Sequence, residues 1–359
     1  MAKLRDVCSR GSSNLKQSDV TDKNGDYPIY GAAGYIGNVD FYHQDKKYVA
    51  VVKDGAGIGR TVLLPAKSSV IGTMQYLLPN EKVLPEYLYY VVSYMHLEKY
   101  FSGATIPHIY FRDYQHEEFR LATIEEQFKI VSTLDKVTHT IDLCNAMLEK
   151  LDLLVKSRFI EMFGDPRINP FGYDTEEIGK TCKVITGNTP SRKVPEYYGD
   201  YMEWIKTDNI VSGVLNPTKA AECLSESGAE EGRIVAENAI LMACIAGSIA
   251  SIGRVCVTDR RVAFNQQINA IVPEKYNTLF LYTLLQISKD YLVEDINMAL
   301  KGILSKSKLE EKVFIVPSME LQDQFADFIE QVDKSKFVVQ QALKKAQLLF
   351  DSLMQEYFG

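Results

Sequence analysis

The end of this chain repeats its middle, and that repeat limits the possible folds more than any other feature. Leu148–Gly164 reads LEKLDLLVKSRFIEMFG, and Leu343–Gly359 reads LKKAQLLFDSLMQEYFG, at an offset of 195 residues (148 to 343). Lys150 matches Lys345, Leu153–Leu154 match Leu348–Leu349, Ser157 matches Ser352, and Phe163–Gly164 match Phe358–Gly359. Upstream the match drifts, pairing Gln127–Phe128 with Gln324–Phe325 and Asp135–Lys136 with Asp333–Lys334. Internal repeats fix architecture, and this period is far too long for a solenoid. Each unit must therefore be a domain followed by a helix. The order globule, helix, globule, helix, with similar halves, implies a pseudo-two-fold axis.

The halves also match outside the helices. Gly59–Arg60 and Gly253–Arg254 each close a small-residue turn after an apolar run. Pro79 matches Pro273, and Leu88–Tyr89 matches Leu281–Tyr282. The duplication spans nearly the whole chain.

At 359 residues the chain can build several cores, and 46% apolar with 24% charged residues is ordinary globular composition. No apolar run approaches the ~20 residues that span a bilayer. The start, MAKLRDVCSR, has no apolar stretch behind its basic residues, so it does not read as a secretory signal. Six cysteines without a C-x-x-C pair suit reduced, partly buried thiols in a cytoplasm. The five histidines show no metal-ligand spacing. The net charge of −7 is uneven along the chain. Residues 1–120 carry 14 basic and 13 acidic side chains, and residues 165–315 carry 17 and 20. Residues 121–164 carry 5 and 7, and residues 316–359 carry 4 and 7. Within the second globule Lys180, Lys183, Arg192, Lys193 and Lys206 cluster early, ahead of an acidic segment from Glu222 to Glu237. A basic patch is compatible with either globule, but composition does not require one.

Apolar residues recur with helical spacing from Thr138 to Phe163, at Ile141, Cys144, Met147–Leu148, Leu151, Leu154–Val155 and Phe159. The second copy carries Val332, Val339, Ala342, Ala346, Leu349 and Leu353 in a heptad rhythm. Gly164 and Gly359 suit helix ends. Asp135 interrupts the spacing, which predicts a short helix (124–134) before a long one of about 25 residues, roughly 38 Å. The two long helices either pack on their own globules or pair with each other, and the shared heptads favour pairing. Ile141, Leu148, Leu151 and Val155 would then meet Val339, Ala346, Leu349 and Leu353 in an antiparallel coiled coil.

The globules read as short strands and turns. Asp54–Gly59 (DGAGIG) follows the strand-like Tyr48–Lys53 and invites a cofactor reading, but such a loop must open a helix. Here it leads to Arg60–Pro65 (RTVLLP), a second strand, so a strand-to-strand turn is the better reading. The equivalent Ala246–Gly253 lacks the spacing. Gly55, Gly187 and Gly247 read as turn glycines, and Tyr89, Tyr282 and Trp204 read as core. Asn169–Tyr173 (NPFGY) lacks the second proline of an amino-methyltransferase signature and reads as a loop. A nucleophile elbow, a P-loop, an H-E-x-x-H and a kinase set are all absent. These absences count against a self-sufficient methyltransferase or nuclease.

Several segments are more specific. Thr186–Ser191 (TGNTPS), Glu196–Tyr198 (EYY) and Glu203–Ile210 (EWIKTDNI) resemble the opening of a target-recognition domain in specificity subunits of type I restriction–modification enzymes. Gly37–Tyr42, Glu86–Tyr90, Gly103–Ile109, Glu125–Gln127 and Pro317–Gln322 resemble further pieces of that family. Ala122–Ile124 departs from it, since the family usually carries proline there. The resemblance covers the full length. It implies an α+β fold with two similar target-recognition domains, 1–120 and 165–315, joined by helical regions 121–164 and 316–359 in an antiparallel coiled coil.

It also implies a division of labour. Each domain would read half of a bipartite double-stranded DNA site in the major groove, and the helices would set the gap. Two modification subunits would dock on the helices, and restriction subunits would join them. The complex would methylate adenine and cleave, with S-adenosylmethionine, ATP and Mg on the partner subunits and no cofactor on this chain. On this reading the DNA-contacting candidates are Lys53, Arg60, Thr105 and His108 in the first domain. In the second they are Thr189, Ser191, Arg192, Lys206, Asp208, Asn209, Ser248, Arg254 and Lys301. A coiled-coil scaffold, or a DNA-binding protein outside any restriction system, is the competing reading.

Overall fold

The most apolar strand of each half ends up in the middle of a sheet. In the computed structural model, which describes residues 1–21, 24–103, 107–296 and 302–359, Tyr48–Val52 is buried at every position. It pairs antiparallel with Thr61–Leu64 on one side and Met74–Pro79 on the other, and Cys8–Ser12 completes a four-stranded sheet. The second half repeats this order with Cys182–Thr186, Ile268–Pro273, Ile240–Ala243 and Val255–Val257. Each half also holds a parallel pair, Tyr27–Gly31 with Ser69–Val70 and Met202–Ile205 with Val262–Phe264. The second half enlarges this smaller sheet to five strands.

The chain divides into two compact units, Met1–Asn145 with Gln341–Gly359, and Ala146–Gln340. Neither unit is a simple half of the sequence. The first takes the end of the chain into its core, and the second takes the end of the first long helix.

The glycine turns are strand connections, as the sequence predicts. Gly59 N–H donates to Val52 O at 2.9 Å, and Val52 N–H donates to Arg60 O at 2.9 Å. In the second unit Gly253 N–H donates to Ala243 O at 2.8 Å, and Ala243 N–H donates to Arg254 O at 2.9 Å. Both glycines have positive φ, 83° and 75°, the left-handed region that favours glycine. Among the assigned turn glycines, Gly187 is required by close approach, since a Cβ there would lie 2.1 Å from Asn265 O. Gly247 has open space and no positive φ, so its backbone does not demand glycine.

The helices correct the sequence reading in length. They run without a break from Ile124 to Phe163 and from Met319 to Phe358, 40 residues each, or roughly 60 Å at ~1.5 Å per residue. Asp135 does not interrupt the first, because it faces the globule and accepts a hydrogen bond from Tyr90 Oη at 2.6 Å. The drifting upstream match is corrected too: Gln127 is equivalent to Gln322, so the helices keep one offset throughout. Gln127 Oε1 accepts from Leu84 N–H at 2.8 Å, and its Nε2 donates to Lys82 O and Ala122 O. Gln322 Oε1 accepts from Asn277 N–H at 2.9 Å, and its Nε2 donates to Lys275 O and Pro317 O. Both side chains are fully enclosed. Ala122, the departure from the family's proline, thus stands where Pro317 stands, and its carbonyl does the same work.

Aromatic side chains seat the helix ends. In the second unit Phe159 and Phe163 enter the core against Phe280 and Phe325, with ring centroids 4.8–5.6 Å apart. In the first, Phe358 meets Tyr87 at 5.4 Å and Phe350 meets Tyr90 at 6.2 Å, beside the buried Met354. Within the second unit the helices are antiparallel, since Phe159 lies by Phe325 while the earlier Asp152 pairs with the later Lys336 at 2.6 Å. Ile141, Leu148, Leu151, Val155, Val339 and Leu353 are half-buried and Ala346 is buried. Leu349, Met147 and Leu154 are corrections, being about half exposed, as is Leu348. An α-helix gains on a strict heptad, and the seam passes instead through Phe350 and Met354, which turn towards the first unit's tyrosines. Trp204 and Tyr282 are core as read, and Tyr89 packs at its edge.

All six cysteines are free thiols, and burial pushes those of Cys8, Cys244 and Cys256 up to about 12. Among the described residues, no helix is long and apolar enough to cross a membrane.

Truncating an enclosed aromatic leaves a cavity that costs about 3–5 kcal/mol. Phe163→Ala should therefore lower the urea midpoint strongly, whereas Leu154→Ala, at an exposed position, should leave it nearly unchanged.

Candidate nucleic-acid interface

In the first unit, Lys53 leaves the buried strand Tyr48–Val52 and its backbone carbonyl accepts from Ile109 N–H at 3.0 Å. This bond, with Gly55 N–H donating to Pro107 O at 3.0 Å, clamps the glycine turn to the segment around His108. His108 Nδ1 is hydrogen-bonded to Asp54 Oδ1. That contact fixes the ring and leaves Nε2 for an outside partner. His108 stacks on Tyr110, with centroids 5.9 Å apart, and Arg112 lies 4.7 Å above the Tyr110 ring. Arg60 is exposed at the other end of the turn and makes no ion pair with any described residue, while Lys53 Nζ lies 4.0 Å from Asp54. Lys53, Arg60 and His108 are thus borne by one turn and the segment clamped to it. Thr105 lies outside the described residues.

The second unit holds its candidates on an aromatic floor. Tyr198 Oη donates to Pro190 O at 2.6 Å, and Trp204 Nε1 donates to Asn188 O at 3.3 Å. Asn188 in turn accepts from Arg233 N–H and donates to Glu231 O. These bonds hold the loop that presents Thr189, Ser191 and Arg192. Thr189 Oγ1 donates to Gln266, and Ser191 Oγ accepts from Lys193 N–H at 3.3 Å. Arg192 lies 4.2 Å over the Tyr198 ring and makes a two-pronged contact with Glu222. Lys206 Nζ reaches the same carboxylate at 2.5 Å. The Arg192 hydrogen bond, helped by Lys206 and opposed by burial, lowers the Glu222 pKa to about 2.

The remaining candidates continue from there. Arg254 donates to Thr207 O at 3.2 Å and to Ser251 O at 3.3 Å, tying the second glycine turn to the short turn Thr207–Asn209. Ser248 Oγ donates to Ser251 Oγ at 3.0 Å, and Asp208 is exposed. Asn209 faces inward, with Nδ2 donating to Thr218 Oγ1 and Lys219 O and Oδ1 accepting from Lys206 N–H. Its amide supports the loop and is not presented to solvent. Lys301 lies outside the described residues. Glu222 joins Arg192 to Lys206, and Arg254 bonds the neighbouring Thr207 and, with Ser248, Ser251.

Sequence reasoning missed Tyr110, Arg112, Tyr198 and Glu222. The alternation of His108, Tyr110 and Arg112 was a usable signal, because stacked aromatics between cations suit nucleic-acid surfaces. Glu222 gave none, since its partners lie 30 and 16 residues away. Exposed loop cations on a rigid base can neutralise phosphates, and an arginine fork can read a base edge.

Comparison with known proteins shows the family and the fold. The family described as type I restriction modification DNA specificity domain matches residues 1–153 and 170–348. The type I restriction enzyme HindI specificity subunit of Haemophilus influenzae is 29% identical over 158 residues, 42% of this chain and 33% of that protein. The MjaIX specificity subunit of Methanocaldococcus jannaschii is 23% identical over 285 residues, 71% of this chain and 63% of its own. The chain thus spans a third and just under two thirds of the length of these relatives. The crystal structure of a type I restriction–modification S subunit from M. genitalium matches the whole chain with a TM-score of 0.65 at 14% identity, over 95% of its own length. A structure described for complex assembly and conformational transition of the type I system matches with a TM-score of 0.56 at 15% identity, covering 99% of this chain and 96% of its own. At these identities the structures establish a shared fold.

The depressed pKa of Glu222, about 2 against an ordinary 4.5, fixes a sign. Its ion pairs stabilise the fold above about 4.5 and that contribution is lost as pH falls towards 2. Urea midpoints measured across that window should fall less steeply in Glu222→Gln than in the parent chain.

Proposed function

The chain belongs to the family of type I restriction–modification specificity subunits, and on that premise we propose that it selects the DNA sequence on which such a complex acts. Each unit reads one half of a bipartite double-stranded site, through Lys53, Arg60, His108 and Arg112 in the first and Thr189 to Arg254 in the second. The two long helices set the gap between the half-sites. The observation that carries this reading is the duplication itself, which supplies two like scaffolds with loop cations and continues both helices through both units. A repeated scaffold with different loops is what a split, asymmetric target requires. Direct readout in the major groove distinguishes all four base pairs, so few contacts per half-site suffice.

The chemistry belongs to partners. Two modification subunits carrying S-adenosylmethionine methylate adenine, flipped from the duplex. Restriction subunits supply ATP- and Mg-dependent translocation and cleavage, in the cytoplasm. The exposed helix flanks support docking of a partner twice. Leu153 and Leu154 are 60% and 47% exposed, and their repeats Leu348 and Leu349 are 61% and 50% exposed. Leu143 and its repeat Val338 are exposed as well. Such paired patches suit two copies of one partner, since solvent-facing leucines gain only when covered.

Single-molecule methylome sequencing with the gene present and deleted tests the function. A gained motif of two short blocks with a fixed gap is the expected result, and no gained motif in a strain expressing an active modification subunit would refute it. Inserting one heptad within 141–155 and its match within 339–353 should lengthen the gap and leave both blocks unchanged. Leu154→Lys with Leu349→Lys should abolish co-purification of the modification subunit while the urea midpoint stays within about 0.5 kcal/mol of the parent in stability terms.

A further inference from the structure

Arg192 spends both arms of its guanidinium on one internal partner. One Nη donates to Glu222 Oε1 and the other to Oε2 at 3.1 Å. This is the geometry by which a guanidinium grips a phosphate or the O6 and N7 of guanine. Lys206 Nζ donates to the same Oε2 at 2.5 Å. The cations cannot swing far, because Arg192 is stacked on Tyr198 and Lys206 lies 5.1 Å over Trp204, both rings being tied to the backbone of the loop. The seat is open to an outside molecule, since Arg192 is 52% exposed and Glu222 28%. A carboxylate therefore occupies the place that a DNA acceptor would take.

We propose that Glu222 is a specificity-determining residue of the second unit, a built-in competitor that surrenders Arg192 and Lys206 only to a correctly placed base edge. The inference rests on the reading of this chain as a DNA-specificity subunit. Most non-specific affinity comes from cations meeting phosphates and releasing counterions. A mobile, hydrated phosphate that displaces Glu222 exchanges one two-pronged anion contact for another and gains little. A base edge held in register by the rest of the interface presents its acceptors without further loss of freedom, so it wins the exchange. Glu222 thereby suppresses binding to DNA that lacks the motif, at modest cost to binding of the motif itself.

The test uses the chain assembled with its modification subunits, and duplexes with and without the motif found by methylome mapping. Affinities are measured by fluorescence anisotropy across a salt series. Glu222→Gln should bind the motif-free duplex about tenfold more tightly, with a log–log salt slope steeper by roughly one to two. Its methylome should gain sites that differ only in the half read by the second unit. Adding Arg192→Gln to that variant should return the motif-free affinity to the parent level. Arg192→Gln alone, with Glu222 in place, should weaken motif binding several-fold and leave motif-free binding unchanged. Equal loss on both duplexes in that single variant, or unchanged motif-free binding by a folded Glu222→Gln complex, would overturn the proposal and leave Glu222 a structural strut. A parent complex that bound no DNA would instead defeat the underlying functional reading.

Discussion

Everything else in this structure depends on where the two long helices end. Each begins on one unit, pinned by an enclosed glutamine, and finishes with its aromatic residues inside the core of the other. Phe159 and Phe163 complete the second unit, and Phe350, Met354 and Phe358 complete the first. Burial of such rings dominates the energetics of cores this size. The units therefore cannot be cut apart between the globules without opening both cores. Each long helix is thus held by packing at both of its ends.

Much of this was legible in the sequence because duplication leaves matched residues at matched positions. The glycine turns and the glycine-marked helix ends follow from repeats visible in one chain. Where the reading went wrong, a local rule was overridden by a tertiary contact. Asp135 looked like a break because an acid interrupts an apolar stripe, but Tyr90 supplies its partner. The Gln127 match was displaced by two residues because Gln324 and Phe325 imitate the dipeptide, whereas only Gln322 reaches the same set of backbone groups. Leu349 looked like a seam residue under a heptad rule that a straight helix does not keep.

The candidate interface was less legible, for a reason that lies in how it is built. Residue type alone pointed to Lys53, Arg60, Arg192, Lys206 and Arg254, all of which emerge on exposed or half-buried loop positions. It pointed equally to Asn209, whose amide is consumed in holding the loop. The acid that pairs with Arg192 and Lys206 stands just before the short strand Cys223–Leu224, far from them in sequence, and carries no motif. Cations are visible to composition and motif, but the groups that restrain them become visible only once the chain is folded.

The position of Phe350, Met354 and Phe358 after both globules in chain order also sets an order of events during synthesis. At roughly 5–20 residues per second, these side chains leave the ribosome only after both globules have been made. The second unit draws its whole core from residues 146–340 and can close while translation continues. The first unit must wait with Tyr87 and Tyr90 uncovered until the second long helix arrives. The unit that is translated first is thus completed only after the second. In that interval its open apolar groove is what a chaperone, or a wrong helix, would meet.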